Sequence, residues 1–135
     1  MNKIVLAVCD DLNAYLMERY SYKTKPASIG LSFTISANRK YFDIYLRCPA
    51  TIDFWPKMTL VVARIKFKNI RNREGSDLLK LLVNSALDLG LVYIAIEESN
   101  LNSSLFAENL GFKKYKSENN WLVKASKLKH TLSLS

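Results

Sequence analysis

The strongest constraint on the fold lies between Leu60 and Glu97. Leu60–Lys68 alternates, with Val61, Ala63, Ile65 and Phe67 set against Arg64, Lys66 and Lys68; this is the period of a half-buried strand. Asn69–Gly75 breaks the alternation and is basic, with one glycine. Ser76–Leu89 then places Leu78, Leu79, Leu82, Val83, Ala86, Leu87 and Leu89 on a wide apolar face, and Asp77, Lys80, Asn84 and Asp88 on a narrow wet stripe. Gly90 suits the left-handed position that closes such a helix. Leu91–Ile96 is a near-continuous apolar run, as a central strand covered on both faces requires. Strand, helix and strand in this order form one right-handed crossover. A helix this apolar must lie flat on a sheet.

The flanking segments add antiparallel strands. Leu31, Phe33 and Ile35 alternate with Ser32, Thr34 and Ser36, and Phe42, Ile44 and Leu46 alternate with Tyr41, Asp43, Tyr45 and Arg47. Ala37–Lys40 lies between them, so the spacing predicts a hairpin with one buried and one wetter face. Cys48–Lys57 holds Pro49 and Pro56 and is predicted to be a loop. Asp10 or Asp11 can cap a helix bearing Leu12, Tyr15 and Leu16. Periodicity leaves residues 3–9 open between a strand and the first turns of that helix. After Ile96, Asn102 or Ser103 can cap a short helix that Gly111 ends. Phe112–Tyr115 and Trp121–Ala125 read as two closing strands. The expected class is α/β (α+β): a mixed, mostly antiparallel central sheet flanked by helices. Residues 1–126 are expected to form a single domain with its core over 29–126, and 127–135 a flexible basic tail.

Composition narrows the function classes. Apolar residues make up 49% of 135 residues, too many for a disordered chain. No run of 18 apolar residues exists, so no membrane-spanning helix is expected. Ile4–Cys9 is too short for a leader peptide, and a cytoplasmic protein is expected. Cys9 and Cys48 lack metal-ligand spacing and read as reduced core thiols. The only histidine, His130, lies in the predicted tail, where it makes a poor catalyst. The net charge of +8 favours anionic partners: nucleic acid, phosphorylated cofactors or acidic proteins. Tyr41 and Tyr45, with Arg39, Lys40 and Arg47, give the hairpin a basic-aromatic face, and aromatics interleaved with cations can stack on bases. Asp53-Phe54-Trp55-Pro56 sets two large aromatics in a proline-bounded loop, either as a binding lip or tucked onto the core.

A basic, glycine-containing turn entering a helix has a physical use. The helix start offers unpaired N–H groups and partial positive charge, and so holds phosphate. After the second strand comes Glu97-Glu98-Ser99-Asn100, then Ala107, then Gly111-Phe112, with Phe106 and Leu110 apolar between them. In this order and spacing, Thr59–Phe112 resembles the acyl-CoA-binding half of the GNAT N-acetyltransferase superfamily. The resemblance implies acetyl-CoA as cofactor, an amine as acceptor and direct attack in a ternary complex. The acceptor class stays open between a protein and a nucleic-acid-bound amine, including an aminoacylated RNA. No membrane partner is implied.

The resemblance also assigns residues. The family loop reads Q/R-x-x-G-x-G/A and cradles the cofactor's pyrophosphate. With Gly75 in the last glycine slot, Ile70 fills the Gln/Arg slot and Arg73 the first glycine slot; with Gly75 in the first, Asn72 and Asp77 fill the others. Either way one glycine is missing. Arg71 and Arg73 are then the charge-assisted donors to phosphate, beside Gly75 and Ser76. The backbone edge of Ile65–Asn69, including Ile65 and Phe67, is where the family pairs the pantetheine arm. Asn100 orders the cleft, Glu97 or Glu98 is the candidate base, and Phe54 and Trp55 line the acceptor side. The family's thiolate-protonating tyrosine is replaced by Ala107, and the neighbouring Phe106 has no hydroxyl. These two altered slots also fit an inactive binding or regulatory protein of phage or plasmid type, acting on nucleic acid or a partner protein.

Overall fold

The computed structural model describes residues 2–50, 53–68, 73–99 and 101–134. The chain begins with helix α1 (Asn2–Tyr20). Strands β1 (Ser28–Ile29), β2 (Thr34–Arg39), β3 (Phe42–Arg47) and β4 (Thr59–Phe67) follow. Helix α2 (Glu74–Asp88) crosses over to β5 (Tyr93–Ile96), and helix α3 (Leu101–Asn109) leads to β6 (Lys113–Lys114) and β7 (Trp121–Lys124). Helix α4 (Ala125–Ser133) ends the described chain. The strands form one sheet in the order β1-β2-β3-β4-β5-β7-β6. Only β4 and β5 run parallel, from Thr59↔Tyr93 to Val62↔Ile96; every other pairing is antiparallel. The mixed, mostly antiparallel sheet flanked by helices is thus as the sequence predicts.

The core lies on one face of this sheet. Val5, Val8, Leu12 and Leu16 of α1, Leu78, Leu82 and Ala86 of α2, Ala107 of α3 and Leu128 of α4 bury against Ile35, Ile44, Leu46, Leu60, Val62, Ile94 and Trp121. Fully burying one such aliphatic side chain contributes about 1.5–3 kcal/mol. The other face carries a smaller cluster of Trp55, Val61 and Ala95, with Phe54, Tyr115 and Leu122 against it. None of the described helices contributes to that second cluster.

Four local expectations give way to packing. Residues 3–9 are helical, so Asp10 and Asp11 lie inside α1 rather than capping it. Val5, Val8 and Cys9 complete the i, i+3, i+4 stripe that Leu12 and Leu16 continue. Strand β2 starts three residues later than the alternation predicts: Leu31 is 89% exposed, and Ile35 and Ala37 face the core instead. The alternation of β4 is broken at Ala63, where the register shifts between Tyr45↔Arg64 and Leu46↔Val62. One extra residue reverses the phase, so Val62 joins Leu60 on the helix face while Val61 turns to the other. The predicted frayed tail is helix α4, whose Leu128 and Leu132 are buried.

Candidate functional site

The crossover connection creates a gap in the sheet. The Glu97 N–H donates to the Val62 carbonyl at 3.0 Å. Strand β5 has ended at Ile96, but β4 continues to Phe67. Residues 64–67 therefore pair with β3 on one edge and have no β5 partner on the other. The Ala63 bulge bends β4 where this parting begins. Ile65 and Phe67 lie on this free stretch, with their side chains packed on the helix face and their backbone edge open.

The start of α2 is built differently from the sequence expectation. Gly75 lies within the first turn of α2, and Arg73 is the N-cap, held left-handed at φ 58° without a side-chain cap. The Arg73 carbonyl accepts from the Asp77 N–H at 3.0 Å. Two acids, Glu74 and Asp77, occupy the first turn, where they complement the helix dipole but would repel a phosphate. Helix α1 masks them. Arg19 approaches Glu74 at 3.3 Å and Asp77 at 2.8 Å, and the Tyr20 hydroxyl donates to Glu74. The glycine serves packing here: a Cβ on Gly75 would stand 3.3 Å from Cζ of Phe106. Ser76 is half-buried and Arg73 exposed beside it. Arg71, with Ile70 and Asn72, lies outside the described residues, as does Asn100.

The two candidate acids at the end of β5 separate. Glu97 is half-buried and bound to Arg47 of β3 through two contacts of 3.4 and 3.3 Å. Glu98 is exposed, with φ 47°, and its N–H donates to the Asn120 side chain at 2.7 Å. Ser99, which carried no sequence signal, anchors this end. Its hydroxyl accepts from the Trp121 indole at 3.0 Å and lies 2.6 Å from the Ser104 hydroxyl, while its N–H donates to the Asn119 carbonyl at 2.8 Å. The end of β5 is thereby tied to α3 and to the β6–β7 turn. Ala107 is fully buried.

The proline-bounded loop splits its aromatics. Trp55 is buried against Val61 and Ala95 and stacks on Tyr115, with ring centroids 5.3 Å apart. Phe54 is half-buried, with Lys116 Nζ 5.2 Å from its ring and donating to its carbonyl at 3.1 Å. Neither cysteine is a nucleophile: both are buried and free, and burial pushes the Cys48 thiol up to about 12. Among the described residues no group of histidine, cysteine, aspartate and glutamate could hold a metal ion, and no described helix is long and apolar enough to cross a membrane.

No family model matches the chain, and no curated protein does. Solved structures do. The crystal structure of a KacTA–DNA complex matches with a TM-score of 0.53 at 11% identity, covering 93% of this chain and 86% of that one. AtaT complexed with acetyl-methionyl-tRNAfMet matches at 0.50 and 12% identity, covering 88% and 83%. AtaTR bound with AcCoA matches at 0.50 and 14%, covering 71% and 68%. At these identities the likeness is one of fold.

Proposed function

We propose that this chain, which has the fold of the GNAT acetyltransferases, is an acyl-CoA-dependent N-acyltransferase. It moves an acetyl group from acetyl-CoA to an amine by direct attack. The observation that carries this reading is the parting of β4 from β5 beyond Val62 and Glu97, which leaves β4 with a backbone edge unpaired by β5, followed in the chain by the start of α2. An open edge pairs with the amides of an extended ligand, and the helix start receives its phosphates. Arg73 and Ser76, with Gly75 between them and Arg71 in the loop, hold the pyrophosphate. Asn100 orders the cleft, and Phe54, braced by the buried Trp55, edges the acceptor side.

The amine nitrogen attacks the thioester carbon, the carbon–sulfur bond breaks, and the thiolate leaves. A thiolate of pKa about 8.5 takes its proton from water, so the buried Ala107 slows the step without forbidding it. The amine proton passes through Glu97, or through the exposed Glu98, to solvent. Glu97 already shares its oxygens with Arg47, which favours an acceptor that loses its proton easily. An α-amino group, pKa about 7.7–8.0, is roughly a tenth or more free base at pH 7, whereas a lysine side chain near 10.4 is below about one part in a thousand. The acceptor is therefore an α-amino group, carried on a protein or a nucleic acid. The same fold occurs in AtaT complexed with acetyl-methionyl-tRNAfMet and in AtaTR with AcCoA, which supports both halves of the reading.

A second reading is favoured by the Phe106 ring against Gly75 and by the acids Glu74 and Asp77 in the same turn. It is a binding protein that has lost the cofactor. Calorimetric titration with acetyl-CoA, and with coenzyme A beside it, decides between them. Micromolar binding that Arg73→Gln weakens several-fold supports the enzyme. No heat at millimolar cofactor sinks it and leaves the binding protein.

A further inference from the structure

The sheet face turned away from the described helices carries, beyond the Trp55 cluster, cations around Tyr45, a ladder that continues to Tyr41 at the hairpin end. On neighbouring strands, Tyr45 stands opposite Arg64 and Asp43 opposite Lys66. One step further, the Lys68 N–H donates to the Tyr41 carbonyl. The Tyr45 ring has two guanidinium groups over it, Arg47 and Arg64 each 5.4 Å from its centroid. At the hairpin end beside α1, Tyr41, 42% exposed, stacks on Tyr20 with ring centroids 6.1 Å apart and has Lys40 Nζ at 5.4 Å and Lys68 Nζ at 5.8 Å. Around it opens a shallow hollow of about 240 Å³ whose lining joins Arg39, Lys40, Lys66 and Lys68 to the acid Asp43 and to Phe42 and Phe67. Among the described residues, the acids on this path are Asp43, paired with Arg64, and Glu97, paired with Arg47, beside the cations Arg39, Lys40, Lys66 and Lys68. The ladder ends at Arg47, whose guanidinium holds Glu97.

We infer that this face is a track for a single strand of RNA whose terminal amine is delivered to Glu97. The inference rests on the proposed α-amino acceptor and names its carrier. Charge complementarity selects a polyanion. The tyrosines select unpaired nucleotides, because aromatic rings interleaved with guanidinium groups can stack on exposed bases. Lysines around the hollow neutralise phosphates at the far end. An acidic peptide would use the cations but gain nothing from the aromatic rings.

The test is fluorescence anisotropy of a short labelled single-stranded RNA titrated with the full chain over a range of salt. Lys40→Gln/Lys66→Gln changes exposed side chains and should retain the fold. It is expected to weaken binding and to flatten the log–log salt slope by about 1.4. Tyr45→Ala, checked by thermal melting, is expected to weaken binding about 5-fold or more, as lost stacking does, with the slope unchanged. Polyglutamate should compete poorly, and its loss of affinity should not depend on Tyr45. Acetyl-CoA titration of the same variants separates the two readings. RNA binding that falls in both variants supports the track whether or not cofactor binds. Cofactor binding without RNA binding, RNA binding indifferent to both variants, or equal competition by polyglutamate overturns the track and leaves the acyltransferase reading untouched.

Discussion

Cys48 shows how far burial removes a residue from chemistry. Its side chain is fully buried, and burial raises the thiol pKa from 9.0 to about 12. Native protein should therefore resist thiol reagents at pH 8, with labelling appearing only as the chain unfolds. The same shift sets a stability window. Below pH 9 both native and unfolded thiols are protonated and the group is neutral to stability. Between 9 and about 12 the unfolded chain loses the proton and the native one keeps it, so stability falls by about 1.4 kcal/mol per pH unit. Replacing Cys48 with alanine should flatten this alkaline limb of a denaturation series, at some loss of packing at neutral pH. An unchanged limb would mean that another group titrates there. Arg19 works in the opposite sense, through charge rather than burial: it answers two acids that would otherwise oppose phosphate at α2.

At the scale of elements, α4 has the clearest mechanical task. Leu128 and Leu132 reach the same core as α1 and α2, and the Ala125 N–H donates to the Val92 carbonyl at 2.8 Å. Leu128→Ala should cost about 2–5 kcal/mol, as for other fully buried leucines, read as a shift of the urea midpoint with unchanged slope. A loss under about 1 kcal/mol would return the segment to the tail that its composition suggests. This helix was illegible for a physical reason: Leu128 and Leu132 stand almost alone among lysines, serine and threonine, so the apolar stripe is too narrow to declare itself. By contrast, β4, α2 and β5 were legible because long periodic stretches state their own faces. Gly90 ended α2 as expected, at φ 78°, letting the Leu91 N–H donate to Ala86 at 2.9 Å. Strand β2 starts late because Ser32 and Phe33 are left-handed, at φ 57° and 60°, a turn that the clean alternation of Leu31-Phe33-Ile35 does not report. The bulge at Ala63, the Ser99 anchor and the Arg19 mask were invisible for a further reason. Each depends on a partner more than 15 residues away.

For the whole molecule, the consequence is a division between two faces. Helices and the α2 start occupy one side of the sheet, and the cation–tyrosine ladder occupies the other. The gap between β4 and β5 is where the sides meet. A cofactor entering from the helix side and an acceptor entering from the open side can be bound together, which is what direct transfer requires. A covalent relay would instead need an activated nucleophile at the gap. Both cysteines are buried with raised pKa values, and the Ser99 hydroxyl is engaged by Trp121 and Ser104. Intact-mass measurement after incubation with acetyl-CoA alone should therefore show unmodified protein. Initial rates varied in both substrates should give intersecting rather than parallel lines. An acetylated species that forms without acceptor and is consumed when acceptor is added would reverse the argument: the two faces would then serve successive half-reactions, with a side-chain nucleophile carrying the acyl group between them.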